Sequence, residues 1–280
     1  MGFRLLTINL HTYQEHQCWS LWETVKAHDR EARIISEAIA QQEVDIVCFQ
    51  EVGESIYESI TTPYGTTHSN MAYRIFLRLQ SRGLHYNLFQ DWSHVGFGIW
   101  REGTAILSKH PMYHNYSMYV SHNQNKDHFM SRNVTTSCID VPRFGLLHVV
   151  NAHLNRAEHG GKEEFDAIRH LADSREHFGV RGGVLVGDFN TLPGTDAYHH
   201  MVYSTEYIDQ WYEVAPHNFY EPTHRGKIAG WEHSDPARID YIFKKNGSPL
   251  QIESIQLIFN NHFFPIVSDH YGYLATFDTY

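Results

Sequence analysis

The stretch Val184-Leu185-Val186-Gly187-Asp188-Phe189-Asn190 runs from an apolar segment straight into a carboxylate and an amide. Such a segment, bounded by glycine and polar residues, predicts a buried β-strand over Val184–Gly187. The polar side chains that follow have two interpretations: they close an Asx-type turn, or they lie at a sheet edge where a reaction takes place. Recurrence of the pattern along the chain favours the second interpretation.

Other predicted strands end or begin at the same kinds of polar side chain. They are Phe3–Ile8 before Asn9, Asp45–Gln50 before Glu51, Gly145–Asn151 before His153, Arg238–Phe243 around Asp240, and Tyr271–Phe277 after Asp269 and His270. Buried carboxylates gathered at strand ends repel one another unless a cation lies among them. Oxygen ligands from Asp, Glu and Asn favour Mg²⁺, with Mn²⁺ as the alternative, whereas zinc prefers His and Cys.

The two histidines of this set, His153 and His270, fit a reaction at phosphorus. In-line attack on a phosphoryl group needs an oriented water, stabilisation of the equatorial oxygens and help for the leaving oxygen. Asp188 and Asn190 can orient the water and a phosphate oxygen. Asp240 can fix the tautomer of His270, and His153 would lie opposite as a second donor to phosphate.

The remaining periodicity predicts a mixed α/β protein. Further strands are predicted over Thr104–Leu107, Val134–Asp140 and Leu250–Phe259, and helices over Glu23–Gln42, Asn70–Arg82 and Lys162–Phe178. Strands outnumber helices and only some are separated by them, which favours stacked sheets with helices packed outside over a βαβ winding. Because no repeat or charged linker divides the sequence, we expect residues 1–280 to form one domain.

The composition narrows the functional classes. Among 280 residues, 22 Lys+Arg stand against 32 Asp+Glu, and the net charge of −10 disfavours nucleic acid as a partner without excluding it. The 22 His invite a zinc interpretation, although the polar strand ends need only two of them. Cys18, Cys48 and Cys138 form no CxxC pair, which indicates reduced thiols and the cytoplasm. We expect no transmembrane segment, signal peptide or obligate protein partner.

Seven short motifs, in order along the chain, resemble the endonuclease/exonuclease/phosphatase superfamily, also called DNase I-like. They are Thr7-Ile8-Asn9, Cys48-Phe49-Gln50-Glu51-Val52, Gly103–Lys109, Asn151-Ala152-His153-Leu154, Gly187-Asp188-Phe189-Asn190, Arg238-Ile239-Asp240-Tyr241 and Ser268-Asp269-His270. The resemblance implies an α/β fold, a four-layer α/β/β/α sandwich of two mixed β-sheets flanked by helices. It also implies phosphoester hydrolysis with a metal ion at Glu51, with Asn9 and Asp269 beside it.

The catalytic roles implied by the resemblance coincide with those reasoned from the residues. They fall on His153, Asp188, Asn190, Asp240 and His270. DNase I-like members give the second histidine, here His153, a carboxylate partner of its own. Glu102 is the candidate for that partner by position, and a solvated strand start is the alternative for this residue.

Local features narrow the substrate. The segment Asp91–Gly96 before Arg101–Ser108, together with Gly230-Trp231, is similar to bacterial members related to maltose 6'-phosphate phosphatase. His94 and Trp231 are therefore the predicted substrate contacts, with ordinary packing as the alternative for the tryptophan. The leading hypothesis is a Mg²⁺-dependent phosphatase acting on a small phosphorylated substrate such as a sugar phosphate. The alternatives are a phosphodiesterase, either a DNase I-like endonuclease or a sphingomyelinase-like phospholipid hydrolase, and a non-catalytic binding module.

Overall fold

The computed structural model describes residues 2–12, 21–96, 98–174, 179–226 and 235–279, and the side chains of the first helix from residue 28 onward. The strands within these ranges are β1 (Phe3–Asn9), β2 (Ile46–Ser55), β3 (Asn87–Gly96), β4 (Trp100–Ser108), β5 (Met112–Tyr119), β6 (Asn133–Val141), β7 (Gly145–His153), β8 (Gly182–Asp188), β9 (Tyr207–Asp209), β10 (Asp240–Lys245), β11 (Leu250–Ile258) and β12 (Gly272–Thr279). The α-helices are α1 (Leu21–Gln41), α2 (Met71–Ser81), α3 (Gly161–Ser174), α4 (Asp196–Tyr203) and α5 (Gln210–Val214).

The strands form two six-stranded sheets. Their orders are β11-β12-β1-β2-β4-β3 and β5-β6-β7-β8-β10-β9. Each sheet is mixed, because β1 and β2 are parallel in the first and β7 and β8 in the second, while the other neighbours are antiparallel. Parallel strands of this kind need cover on both faces, which here comes from the other sheet on one side and helices on the other.

Side chains alternate between the two faces of each sheet, and both faces are buried. In β1, Leu5 joins the core between the sheets, whereas Leu6 packs in the layer formed with α1 and α2. In β8, Val186 faces the other sheet, whereas Leu185 packs with Phe165 of α3. Each such side chain contributes about 1.5–3 kcal/mol by leaving water. The four-layer α/β/β/α sandwich is thus confirmed.

Helix α2 illustrates why the predicted helices form. Asn70 caps its N-terminus by accepting the Tyr73 N–H at 3.0 Å. Phe76 and Leu79, three residues apart, lie on the buried face. The helix predicted over Asn70–Arg82 is therefore confirmed within one residue at each end. No helix within the described ranges is both long and apolar enough to cross a membrane.

The sequence patterns missed three strands, and all three lie at sheet edges: β3, β5 and β9. Most residues of β3 and β5 are exposed or half-buried on both faces, so no apolar alternation marks them. These strands form because β4 and β6 present an unpaired edge to them. The short helices α4 and α5 are also absent from the sequence-based expectation. Of the helix predicted over Lys162–Phe178, α3 ends at Ser174, and residues 175–178 lie outside the described part.

The polar strand ends meet at one edge of the sandwich. Strand register places His153 of β7 opposite Asp188 of β8, and Asp188 opposite Asp240 of β10. In the other sheet, β2 continues past its predicted end at Gln50 through a bulge, where Glu51 has a φ of 47°. A non-glycine residue in this left-handed region is strained, and the bulge re-aims its side chain.

Candidate active site

The first histidine–carboxylate pair joins β10 to the segment before β12. His270 Nδ1 lies 2.8 Å from Asp240 Oδ2, and both side chains are buried. The Asp240 N–H donates to Thr223 Oγ1 at 3.1 Å, which anchors the start of β10. Burial alone would lower the pKa of His270, but Asp240, Asp269 and Asp188 raise it well above its usual range. The Nδ1–H of the imidazolium therefore points to Asp240, and Nε2–H is left for a substrate.

The second pair is His153 with Glu102. Glu102 Oε1 lies 3.5 Å from His153 Nδ1, a looser contact than the one between Asp240 and His270. The Glu102 side chain is buried at the start of β4, so the solvated position considered as its alternative does not occur. As in the first pair, the carboxylate faces Nδ1 and leaves Nε2 of the imidazole turned inward.

Asp188 lies between the two imidazoles. Its Oδ2 is 3.7 Å from His153 Nε2 and 3.8 Å from His270 Nε2. Asn9 Nδ2 donates to the same oxygen at 3.0 Å, and the Asn190 N–H donates to Oδ1 at 2.8 Å. Burial and the nearby Asp240 carboxylate raise the pKa of Asp188, which makes it a stronger proton acceptor. The Asn190 amide donates to Leu154 O at 2.9 Å and has one further N–H to offer.

The predicted metal ligands lie beside this centre. Asn9 Nδ2 also donates to Glu51 Oε1 at 2.9 Å, and Asn9 Oδ1 accepts the His11 N–H at 3.0 Å. Glu51 Oε2 and Asp269 Oδ2 are buried with no hydrogen-bond partner among the described residues. Burial would raise the pKa of Glu51, but His11, His153 and Asn9 hold it well below its usual range. Charged, buried oxygens without partners fit a divalent cation.

Three groups of ligand atoms within the described residues lie close enough to share one metal ion. They are Glu51 with Glu102 and His153, Asp188 with Asp240 and His270, and His224 with Asp269 and His270. The first two include the His153 and Glu102 pair and the His270 and Asp240 pair, so the candidate metal ligands and the predicted catalytic side chains lie in one cluster.

Two further histidines belong to this cluster and were not predicted. His11 Nδ1 lies 3.4 Å from Glu51 Oε2 and 3.5 Å from Asp269 Oδ1. His224 Nδ1 accepts the Gly226 N–H at 3.1 Å, so its proton is on Nε2, which faces Asp269 Oδ2 at 3.5 Å. The chain has 22 His, and no motif in the sequence distinguishes these two from the others. The position of His11, two residues after Asn9, is the one available indication.

Arg132 is the cation that sequence reasoning missed. Its Nη1 lies 3.4 Å from Glu102 Oε1 and 3.5 Å from His153 Nδ1, and its Nε donates to Asn155 Oδ1 at 3.2 Å. Arg132 stands alone just before β6, where no motif marks it. A half-buried guanidinium beside the His153 imidazole suits an anionic substrate.

The two predicted substrate contacts have different outcomes. His94 is 2% exposed and lies behind Glu102, with Nε2 3.4 Å from Glu102 Oε2. Burial and the charge of Arg132 lower the pKa of His94 to about 3, so it is a neutral imidazole that supports Glu102 from behind. Its contact with substrate stays a prediction. Trp231 lies outside the described residues and also stays a prediction.

The site therefore combines two imidazoles held by carboxylates, a central carboxylate, and the Glu51 and Asp269 carboxylates, whose buried oxygens face imidazoles at 3.4 and 3.5 Å. This combination suits attack of water on a phosphate ester in the presence of a divalent cation. The fold and the site together define a metal-dependent phosphoric ester hydrolase.

Solved structures of other proteins share this fold. An endonuclease/exonuclease/phosphatase family protein from Leptotrichia buccalis aligns with a TM-score of 0.78 and 24% identity over 99% of both chains. The human Nocturnin catalytic domain with bound sulfate aligns with a TM-score of 0.68 and 16% identity, over 100% of this chain and 94% of that one. D. rerio TDP2 complexed with a single-strand DNA product aligns with a TM-score of 0.59 and 17% identity over 99% of both chains. No curated protein matches the sequence significantly.

Residues 20–270 match the endonuclease/exonuclease/phosphatase family. Because the match covers most of the chain, the protein belongs to this family. The motifs that resembled the superfamily therefore identified it correctly. The similarity to maltose 6'-phosphate phosphatase concerns the substrate and stays a prediction.

Proposed function

We propose that the protein hydrolyses the phosphate ester of a small metabolite, such as a sugar phosphate, with Mg²⁺ as its cation and water as the attacking group. One observation carries the proposal. The Nε2 atoms of His153 and His270 both approach Asp188 Oδ2, at 3.7 and 3.8 Å, while a separate carboxylate faces Nδ1 of each ring. Two imidazole Nε2 atoms and one carboxylate thus converge where a phosphate and its water would meet.

Each side chain has a distinct part in the proposed reaction. Asp188 accepts the proton of the attacking water, and Asn190 orients that water or a phosphate oxygen. His270 donates Nε2–H to the phosphate and supplies a proton as the leaving oxygen departs. His153 and Arg132 stabilise the charge on the remaining oxygens.

Glu51 and Asp269 are the side chains proposed to hold the cation, with Asn9 orienting Glu51. A bound Mg²⁺ ion supplies Lewis-acid polarisation of a phosphoryl oxygen. Oxygen ligands favour Mg²⁺, and the imidazole of His11 beside them keeps Mn²⁺ as the alternative.

The proposed choice of a small substrate rests on charge. The chain carries a net charge of −10, whereas a polymer-binding groove gains its affinity from many Lys and Arg contacts to phosphates. Arg132 lies within 3.5 Å of the His153 and Glu102 pair. One guanidinium suits one phosphate group, and the similarity to maltose 6'-phosphate phosphatase members suggests a sugar as the remainder.

A phosphodiesterase is the second candidate, and the His153 and Glu102 pair favours it. The DNase I-like resemblance assigns a carboxylate to this histidine, and Glu102 occupies that position at 3.5 Å. A second hydrogen-bond donor to the phosphate is useful where the alcohol that leaves is large and stays bound to the protein through several contacts.

A panel of phosphomonoesters and phosphodiesters, assayed with Mg²⁺, Mn²⁺ or EDTA, separates the candidates. The proposal expects rapid hydrolysis of monoesters, sugar phosphates among them, and little nicking of plasmid DNA at moderate salt. Greater activity on plasmid or on a lipid diester would replace it with the diesterase candidate. Absence of activity on every ester, with phosphate still bound, would favour the binding module.

The metal assignment has its own test. We expect Mg²⁺ to raise the melting temperature of the EDTA-treated protein, because a ligand that binds the folded state stabilises it. Glu51→Gln should abolish most of this increase, whereas the control Glu253→Gln, at an exposed position of β11, should retain it. An unchanged increase in Glu51→Gln, or full activity in EDTA, would reject the assignment.

A further inference from the structure

We propose that Glu164 of α3 is a positioning residue that holds the Arg132 guanidinium beside the His153 and Glu102 pair, acting through the side chain of Asn155. The inference rests on the proposed function in that Arg132 is taken to face the phosphate of the substrate. Glu164 itself contacts no catalytic side chain, so its effect on the reaction would be indirect.

The relay begins at the buried carboxylate of Glu164, which is 2% exposed. Glu164 Oε2 accepts the Asn155 backbone N–H at 2.7 Å, and Oε1 accepts Asn155 Nδ2 at 2.7 Å. Both oxygens are thus directed at one residue, and charge-assisted hydrogen bonds of this length are strong. Gly161 permits the approach of α3, because a Cβ there would lie 2.2 Å from Asn155 O.

Asn155 passes this constraint on by its amide orientation. Its Nδ2 donates to Met130 O at 2.8 Å as well as to Glu164, so both amide hydrogens are used. The nitrogen is therefore fixed by two acceptors and Oδ1 must point the other way. Oδ1 accepts from Arg132 Nε at 3.2 Å.

The relay ends at the guanidinium. With Nε held by Asn155, Arg132 Nη1 lies 3.4 Å from Glu102 Oε1 and 3.5 Å from His153 Nδ1. Among the described residues Nη2 has no hydrogen-bond partner, so it is the donor available to an anion. A planar guanidinium fixed at Nε presents its outer N–H groups in one direction only.

Glu164→Gln tests the relay with little change in volume. A glutamine has one acceptor where Asn155 offers two donors, so the Asn155 amide turns and presents Nδ2 to Arg132. The control is Glu163→Gln, the exposed neighbour on the same helix turn. The measured quantities are the dissociation constant of inorganic phosphate by calorimetry with Mg²⁺ present, and kcat and KM for the best ester of the panel.

We expect Glu164→Gln to weaken phosphate binding about tenfold, the effect of losing one hydrogen bond to a charged group. Glu163→Gln should leave the dissociation constant unchanged. In an Arg132→Ala background, Glu164→Gln should cause no further loss, because the relay has nothing left to position. A merely structural role for Glu164 would give the same loss in both backgrounds, and that result would overturn the proposal.

Two further outcomes keep the test decisive. If Glu164→Gln does not fold, Asn155→Ala replaces it and should show the same loss and the same dependence on Arg132. If the protein hydrolyses no ester, the proposed function fails, but the phosphate-binding cycle still decides the relay. Unchanged phosphate affinity in both Glu164→Gln and Asn155→Ala would reject the relay even in an active enzyme.

Discussion

Replacing Asp240 by asparagine should strongly reduce the rate of the reaction. The variant keeps the shape of the side chain but removes the charge 2.8 Å from His270 Nδ1. Burial disfavours the imidazolium, and Asp240 heads the charges that raise the pKa of His270, so the variant loses much of the charged form. A positioned general acid contributes about 10²- to 10⁴-fold, and we expect kcat/KM at pH 7 to fall within this range.

The same change should alter the pH profile in a defined direction. His270 acts as an acid below its pKa, so activity declines as pH rises through that pKa. Removing the Asp240 charge lowers the pKa, and the alkaline limb of kcat/KM should move to lower pH. The folded state should tolerate the change, because Asp240 also repels the buried carboxylate of Asp188.

Glu102→Gln provides the matched comparison. Its carboxylate lies 3.5 Å from His153 Nδ1, beyond a good hydrogen bond, so we expect a loss of roughly tenfold and little movement of the alkaline limb. Asp140→Asn, at an exposed position of β6, should change neither quantity. Equal losses for Asp240→Asn and Glu102→Gln, or an alkaline limb that does not move, would refute the assignment of His270 as the acid.

Two further predictions concern stability. Arg238→Met should lower the free energy of unfolding, measured in urea, by about 3–5 kcal/mol. The buried Asp209 carboxylate lies 2.8 Å from Arg238 Nη1 and loses this cationic partner in the variant. A loss below about 1 kcal/mol would contradict the prediction. Asp45→Asn should cost about 1 kcal/mol at pH 7, because the Arg4 N–H donates to its carboxylate at 2.8 Å. Burial raises the pKa of Asp45, but the hydrogen bonds from His110 and Arg4 outweigh burial and lower this pKa in the folded state. The stabilisation by the Asp45 charge is therefore present above about pH 4 and is lost as the pH falls through the folded-state pKa. The two unfolding curves should converge in acid, and a constant difference would show that the charge of Asp45 is not involved.

Much of the fold was predictable because its central strands are buried on both faces. An apolar run such as Val184–Gly187 can be identified as a strand without knowing which strands lie beside it. In the structure this strand extends over Gly182–Asp188. The edge strands β3, β5 and β9 were not predictable in this way. Most residues of β3 and β5 are partly solvated, and β9 has only three residues, so the conformation of these strands depends on the neighbouring strand that supplies hydrogen bonds.

The candidate catalytic residues were predictable where a motif places them at a strand end. Asp188, Asp240 and His270 lie at or next to the ends of buried strands. In the structure, His270 Nδ1 is 2.8 Å from Asp240 and His270 Nε2 is 3.8 Å from Asp188. Glu51 was expected at a strand end but lies inside β2, at a bulge that periodicity does not reveal. The bulge turns the side chain where a regular strand would not.

The sequence by itself determined the family and the class of reaction, and it predicted a site at successive strand ends that includes His153 and His270, because short motifs fix residue types there. Only the tertiary structure showed which side chains outside these motifs lie beside them. His11, Arg132 and Glu164 come from segments far apart in the chain, and none belongs to a motif. Their roles depend on distances of a few ångströms between layers, and side-chain periodicity along one strand or helix carries no information about such distances.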